Sequence, residues 1–165
     1  MRVLVIGGYG TFGTRLTRLL ADEPRLTLLL AGRSEARALA ACDALDSRST
    51  LIPWRFDRDG DLAAQLAEAK ADLVVDASGP FQAYGDRPYR VAEACLAAGA
   101  PYIDLADGSD FVAGIGALDE RAKAAGVFVR SGVSTCPALS SAVVRRLAEG
   151  WSVVRSVSAG IAPTP

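Results

Sequence analysis

The sequence predicts an α/β fold, a doubly wound parallel sheet with helices on both faces. Three observations predict it. Short apolar, β-branched runs alternate with helical patterns along the whole chain. The turns between them are only a few residues long, so each helix must cross back over the sheet. A glycine-rich turn, G-x-G-x-x-G at Gly8, Gly10 and Gly13, joins the first run to the first helical pattern.

The first run, residues 3–6 (V-L-V-I), is apolar at every position and reads as a strand buried on both faces. Behind the glycines, Phe12, Leu16, Leu19 and Leu20 recur at helical spacing. Strand, glycine turn and helix form the context of a dinucleotide fingerprint. One glycine permits positive φ, a second lets the backbone approach a diphosphate, and the third brings helix and strand together. The helix then directs unpaired N–H groups and its positive dipole end at the phosphates. Gly8, Tyr9, Gly10, Thr11, Phe12 and Gly13 are therefore candidate cofactor-binding residues. The fold class is accordingly the Rossmann type of dinucleotide-binding domain.

Residues 25–32 give a second strand, ending in Ala31-Gly32-Arg33-Ser34. At this tip, roughly 20 residues past the glycines, an acidic residue would bind the free ribose hydroxyl of NAD. Arg33, Ser34 and Arg37 stand there instead. Two arginines at helical spacing repel unless an anion lies between them, and a 2′-phosphate is such an anion. NADP is thus favoured, with NAD the alternative. The competing reading is a solvated basic helix start with Ser34 as a plain N-cap. A helix over residues 35–44 follows. Residues 49–56 form a third strand in which Pro53 implies an edge or a distortion. Asp57 at its end is placed to reach an adenine amino group or to serve a turn.

After a short helix marked by Leu62, Leu66 and Ala69, residues 71–77 (A-D-L-V-V-D-A) are the fourth strand. They run into Ser78, Gly79 and Pro80, at the sheet edge that carries the first glycine loop. Tyr84 and Gly85 precede a helix with Val91, Ala92, Cys95 and Leu96, in which Cys95 belongs to the apolar stripe. Residues 101–105 form the fifth strand, with Asp104 and Asp107 at its tip. Phe111, Ile115, Leu118 and Ala122 give one further helix, and residues 127–130 the sixth strand. Ser134 or Thr135 then caps a last helix. Cys136 sits near its start, either as a small packed residue or as a thiol activated by the dipole. Residues 1–150 form the dinucleotide-binding domain; within residues 151–165, positions 151–159 read as a final strand and the rest as a linker.

Composition narrows the chemistry. The chain has 165 residues, half of them hydrophobic, and a net charge of −1 without a basic block. Nucleic acid and membrane are therefore not expected as partners, and the cytoplasm is the expected location. Three separated cysteines and no histidine leave no disulfide framework, no metal site and no histidine-based triad. Redox chemistry would come from a bound cofactor. Candidate acid–base groups are Tyr84, Asp104 and Asp107, with Cys136 as a candidate nucleophile.

The segments D-L-V-V-D-A-S-G-P-F (residues 72–81), Tyr84-Gly85 and A-C-L-A-A-G-A-P-Y-I-D-L (residues 94–105) resemble the saccharopine dehydrogenase-like NAD(P)-binding domain family. The resemblance runs over nearly the whole chain. It implies an NAD(P)-linked oxidoreductase, with a small-molecule substrate held mainly by a second domain that lies beyond this chain. It also implies pyrophosphate on Gly8, Gly10 and Gly13, and ribose phosphate on Arg33 and Ser34. Ser78, Gly79 and Pro80 would flank the nicotinamide ribose, and residues 131–139 would lie near the nicotinamide. A homodimer would form through the second domain. A short-chain dehydrogenase is disfavoured, because no tyrosine has a lysine four residues on. The rival of another class is a cofactor-sensing or interaction module without catalysis.

Overall fold

The computed structural model describes residues 1–160. Six strands, β1 Arg2–Ile6, β2 Thr27–Gly32, β3 Thr50–Arg55, β4 Leu73–Asp76, β5 Tyr102–Asp104 and β6 Val129–Arg130, form one sheet in the order β3-β2-β1-β4-β5-β6. Every pairing is parallel. The chain builds outward from β1 to β3, then returns to place β4 on the other edge of β1. Strand order therefore reverses between β1 and β4, where open α/β sheets hold their ligands. Ile6 stands level with both Ala31 and Asp76, so β1, β2 and β4 deliver their following loops at one height.

The period-two pattern of the strands divides the core in two. Leu4, Ile6, Leu29, Ala31 and Val74 face one layer, meeting Leu62 and Leu66 of α3 (Leu62–Ala69), Val91 and Cys95 of α4 (Arg90–Ala97) and Ala122 of α6 (Asp119–Ala125). Val3, Val5, Leu28, Leu30 and Val75 face the other, against Leu16 and Leu20 of α1 (Thr11–Leu20) and Ala41 and Cys42 of α2 (Glu35–Asp43). Burial on both faces explains why these strands read as unbroken apolar runs. Pro53 lies in the outer strand β3, where its missing N–H breaks no ladder. Cys95 is fully buried in the core. Among the described residues no helix is long and apolar enough to cross a membrane.

Four expectations need correction. Phe12 and Leu19 do not line the buried stripe of α1; they are 63% and 81% exposed, and Gly13 and Thr17 are its buried residues. A phenylalanine would hold the helix away from β1, whereas Gly13 lets it approach. The single helix expected around residues 111–122 is three pieces: α5 (Ser109–Gly114), a 3-10 turn Ile115–Leu118, and α6. Gly114 and Gly116 weaken helix propagation at that junction. The helix expected from Ser134 or Thr135 is present but irregular: it opens as a π turn, Thr135–Leu139, with Ser134 at the N-cap position, kinks at Cys136, whose dihedrals are extended (φ −124°, ψ 121°), and continues as α7, Ser140–Leu147. Cys136 thus stands near the start of this helical run, as expected, but at its kink rather than in regular helix. Finally, residues 151–159 form no strand: residues 151–160 are exposed and pair with nothing in the sheet. Alternating apolar side chains such as Val153 and Val157 made the pattern strand-like, but a strand needs a neighbour. The linker expected at residues 161–165 lies outside the described residues.

Candidate functional site

The site is the set of loops that leave the C-terminal ends of the strands, and the glycine loop after β1 sets its shape. Gly7 takes the left-handed conformation, φ +76°. Its carbonyl accepts the N–H of Gly10 at 2.8 Å, closing the turn. A Cβ on Gly13 would lie 2.0 Å from that same carbonyl, so only glycine lets α1 start there. A Cβ on Gly8 would meet Val5 O at 2.9 Å and Leu30 Cα at 3.0 Å. Gly8 thus fits the loop against β1 and β2. The tight-turn role belongs to Gly7, which the sequence reading passed over. Only Gly8 fits the G-x-G-x-x-G spacing, yet the backbone gives the positive φ to the residue before it.

Gly10 is the N-cap of α1 and has no side chain to cap with; the first turn holds no acidic residue. The N–H groups of Thr11, Phe12 and Gly13 therefore keep the unsatisfied character of a helix start, at the positive dipole end. That is the donor set for an anion.

Neighbouring loops are tied to this one. A Cβ on Gly7 would touch Ser78 Cα at 2.8 Å, which places the β1 and β4 loops in contact. Toward β2, the Tyr9 hydroxyl accepts the backbone N–H of Ser34 at 2.9 Å. Ser34 Oγ accepts the Arg37 N–H at 3.3 Å and so caps α2. The Arg37 guanidinium lies over the Tyr9 ring, 5.0 Å from its centroid. Arg33 is exposed beside them. Asp57, after β3, accepts the Asp59 N–H at 3.0 Å through Oδ1 and so serves its own turn.

The β4 loop carries a polar chain. The Ser78 hydroxyl donates to Asp76 Oδ1 at 2.5 Å, and the Ser78 N–H donates to the same oxygen at 3.0 Å. Since Ser78 gives its proton to Asp76, the Tyr84 hydroxyl, 2.9 Å away, is the donor to Ser78 Oγ. The Arg58 guanidinium covers the Tyr84 ring at 3.1 Å. Asp76 is 1% exposed, and its Oδ2 has no partner among the described residues. Burial raises its pKa above the ordinary carboxylate value, against the opposing pull of the Ser78 hydrogen bonds and Arg58; nearby Asp104 adds to the rise. Burial and Asp76 together push the Tyr84 phenol up to about 12. Tyr84 thus keeps its proton near neutrality. Gly79 and Pro80 extend this loop, with Pro80 exposed.

Asp104 is wholly buried. Its Oδ1 accepts Ala106 N–H at 3.0 Å, Gly132 N–H at 2.9 Å and the Ser131 hydroxyl at 2.8 Å. It thereby fastens the β5 and β6 loops together. Asp107 is exposed on the β5 loop and Cys136 on the β6 loop. Sequence reasoning missed Asp76 and Arg58. An acid inside the apolar run V-V-D-A was a usable signal for Asp76; nothing marked Arg58.

A family profile described as "Saccharopine dehydrogenase NADP binding domain" matches residues 3–129. The chain belongs to that family. As a member of this NADP-binding domain family it has NADP as its cofactor. Among solved structures it is similar to apo histidine-tagged saccharopine dehydrogenase (L-Glu forming) from Saccharomyces cerevisiae, at 20% identity and TM-score 0.62 over 88% of this chain and 30% of that one. It is also similar to the leucoanthocyanidin reductase–NADPH binary complex from Vitis vinifera, at 16% identity and TM-score 0.53 over 79% of this chain and 48% of that one. At these identities the likeness concerns the fold. The chain spans under a third of the first of these proteins and about half of the second. Among curated proteins none matches significantly.

Proposed function

We infer that this saccharopine dehydrogenase-type domain holds NADP(H) for hydride transfer to or from a small metabolite, within an oxidoreductase whose substrate is held largely by residues outside this chain. The observation that carries the reading is the uncapped start of α1, pressed onto the Gly7 carbonyl at the point where strand order reverses. The N–H groups of residues 11–13 would hold the cofactor diphosphate. Arg33, Ser34 and Arg37 would hold the adenosine 2′-phosphate, since two cations and a helix start favour a dianion. Ser78 and Gly79 flank the nicotinamide ribose.

When bound, the cofactor supplies the hydride chemistry, and the protein binds and orients it. The residues of this chain contribute charge and proton placement. Tyr84, protonated at neutral pH and hydrogen-bonded to Ser78, is a proton donor rather than a base. Asp104, with one oxygen committed to three donors, holds loops in place.

The test is calorimetric titration of the chain with NADPH and NADH, alongside Arg33→Ala. NADPH binding more tightly than NADH, with the preference reduced in the variant, is the expected result. No binding of either coenzyme would remove the reading.

A further inference from the structure

We propose that Tyr9 is a positioning residue for coenzyme selection: it holds Arg37 and the Ser34 turn in the arrangement that takes a 2′-phosphate. The proposal rests on the NADP(H) reading above and extends it to a residue of the diphosphate loop.

Tyr9 lies in a loop otherwise built mainly of glycine, yet its side chain leaves that loop altogether. It crosses to the β2 loop and meets Gly32, Ser34 and Arg37 there. Its hydroxyl accepts the Ser34 N–H at 2.9 Å, between residues 25 apart in sequence. Its ring supports the Arg37 guanidinium at 5.0 Å. Gly32 leaves the space for it, since a Cβ there would lie 2.3 Å from the hydroxyl oxygen. One aromatic side chain thus bears on the whole segment from Gly32 to Arg37.

The consequence is selective. Arg37 is exposed, and a long exposed guanidinium loses considerable rotamer freedom when it grips a ligand. A guanidinium already laid on an aromatic ring has lost part of that freedom beforehand, so less is lost on binding. Only a coenzyme with a 2′-phosphate draws on Arg37. Tyr9 therefore strengthens binding of NADPH and leaves binding of NADH nearly as it was. A residue that merely kept the loop folded would act on both alike, because the two share the diphosphate.

The experiment is calorimetric titration of the wild-type chain, Tyr9→Leu, Tyr9→Phe and Arg37→Ala with NADPH and with NADH. Tyr9→Leu is expected to weaken NADPH roughly tenfold, the scale of an aromatic–guanidinium contact, and NADH by less than about twofold. Tyr9→Phe keeps the ring, and should retain most of the preference. Arg37→Ala should reproduce the selective loss, and adding Tyr9→Leu to it should cost little more. Equal weakening of both coenzymes by Tyr9→Leu would overturn the proposal. If Tyr9→Leu fails to fold, an unchanged coenzyme ratio in Arg37→Ala would do the same. A wild-type chain that binds neither coenzyme would instead defeat the reading beneath it.

Discussion

Gly13 shows how much one missing methyl group decides. Its absent Cβ would stand 2.0 Å from the Gly7 carbonyl oxygen and 2.8 Å from Gly8 Cα, and both are backbone atoms that cannot easily yield. Gly13→Ala should therefore destabilise the fold by about 1–3 kcal/mol, the range for overpacking, and weaken NADPH binding as α1 is pushed outward. Thermal unfolding and titration of the same preparation check both. Asp76 makes the opposite kind of prediction. Its pKa is raised in the folded state, so the folded chain holds this proton more tightly than the unfolded chain does. Its contribution is fully present below the ordinary carboxylate value of 3.8 and is lost as pH rises through the folded pKa. At neutral pH a buried carboxylate is then a cost. Asp76→Asn keeps an acceptor for Ser78 and removes the ionisation, so it should unfold at the same or a higher temperature at pH 7. Its stability should also fall less than that of the wild type as pH rises from about 4, which melting curves across that range would show. A variant distinctly less stable than the wild type at pH 7 would count against this account of Asp76.

At the scale of elements, the central strands and the C-terminal tail differ sharply. Leu29 of β2 is fully buried, and Leu29→Ala should cost about 2–5 kcal/mol through lost burial and a cavity. Trp151 is 67% exposed on a segment that pairs with no strand, so Trp151→Ala should change stability by less than about 0.5 kcal/mol. Denaturant titration of the two variants side by side tests the contrast. α7 belongs with the tail: none of its residues is buried, and Val143 and Leu147 stay exposed four residues apart, as does Leu139 at its N-cap. The loops fastened at the strand ends belong with the core, through Tyr9 to Ser34, Ser78 to Asp76, and Asp104 to Gly132.

For the molecule as a whole, a ligand that binds only the folded chain must stabilise it by mass action. Saturating NADPH at about 100 times its dissociation constant should add about 2.7 kcal/mol, seen as a rise in melting temperature larger than NADH gives at equal concentration. Much of this architecture was legible beforehand. Apolar runs of strand length, separated by helical stripes and short turns, leave few folds open, and all six strands lie where such runs fall. The site was legible only in outline. G-x-G-x-x-G locates the loop, but the positive φ falls on Gly7, outside that spacing, where the β4 loop at Ser78 leaves no room for a Cβ. Phe12 satisfied helical spacing and still points outward, because the spacing cannot say which stripe faces the sheet. Residues 151–159 satisfied strand patterning without the partner that pairing requires. Arg58 reaches Tyr84 across the gap between two loops, a contact set by tertiary packing alone.

The proposed NADP(H) site requires a diphosphate resting against the bare start of α1. Backbone amide chemical-shift mapping of the chain on addition of NADPH tests this most directly. The largest changes should fall on Thr11, Phe12 and Gly13, with Arg33, Ser34 and Ser78 next, and NADH should reproduce the first group while affecting Arg33 and Ser34 less. NADPH shifts that spare residues 11–13 and gather elsewhere on the molecule would contradict it.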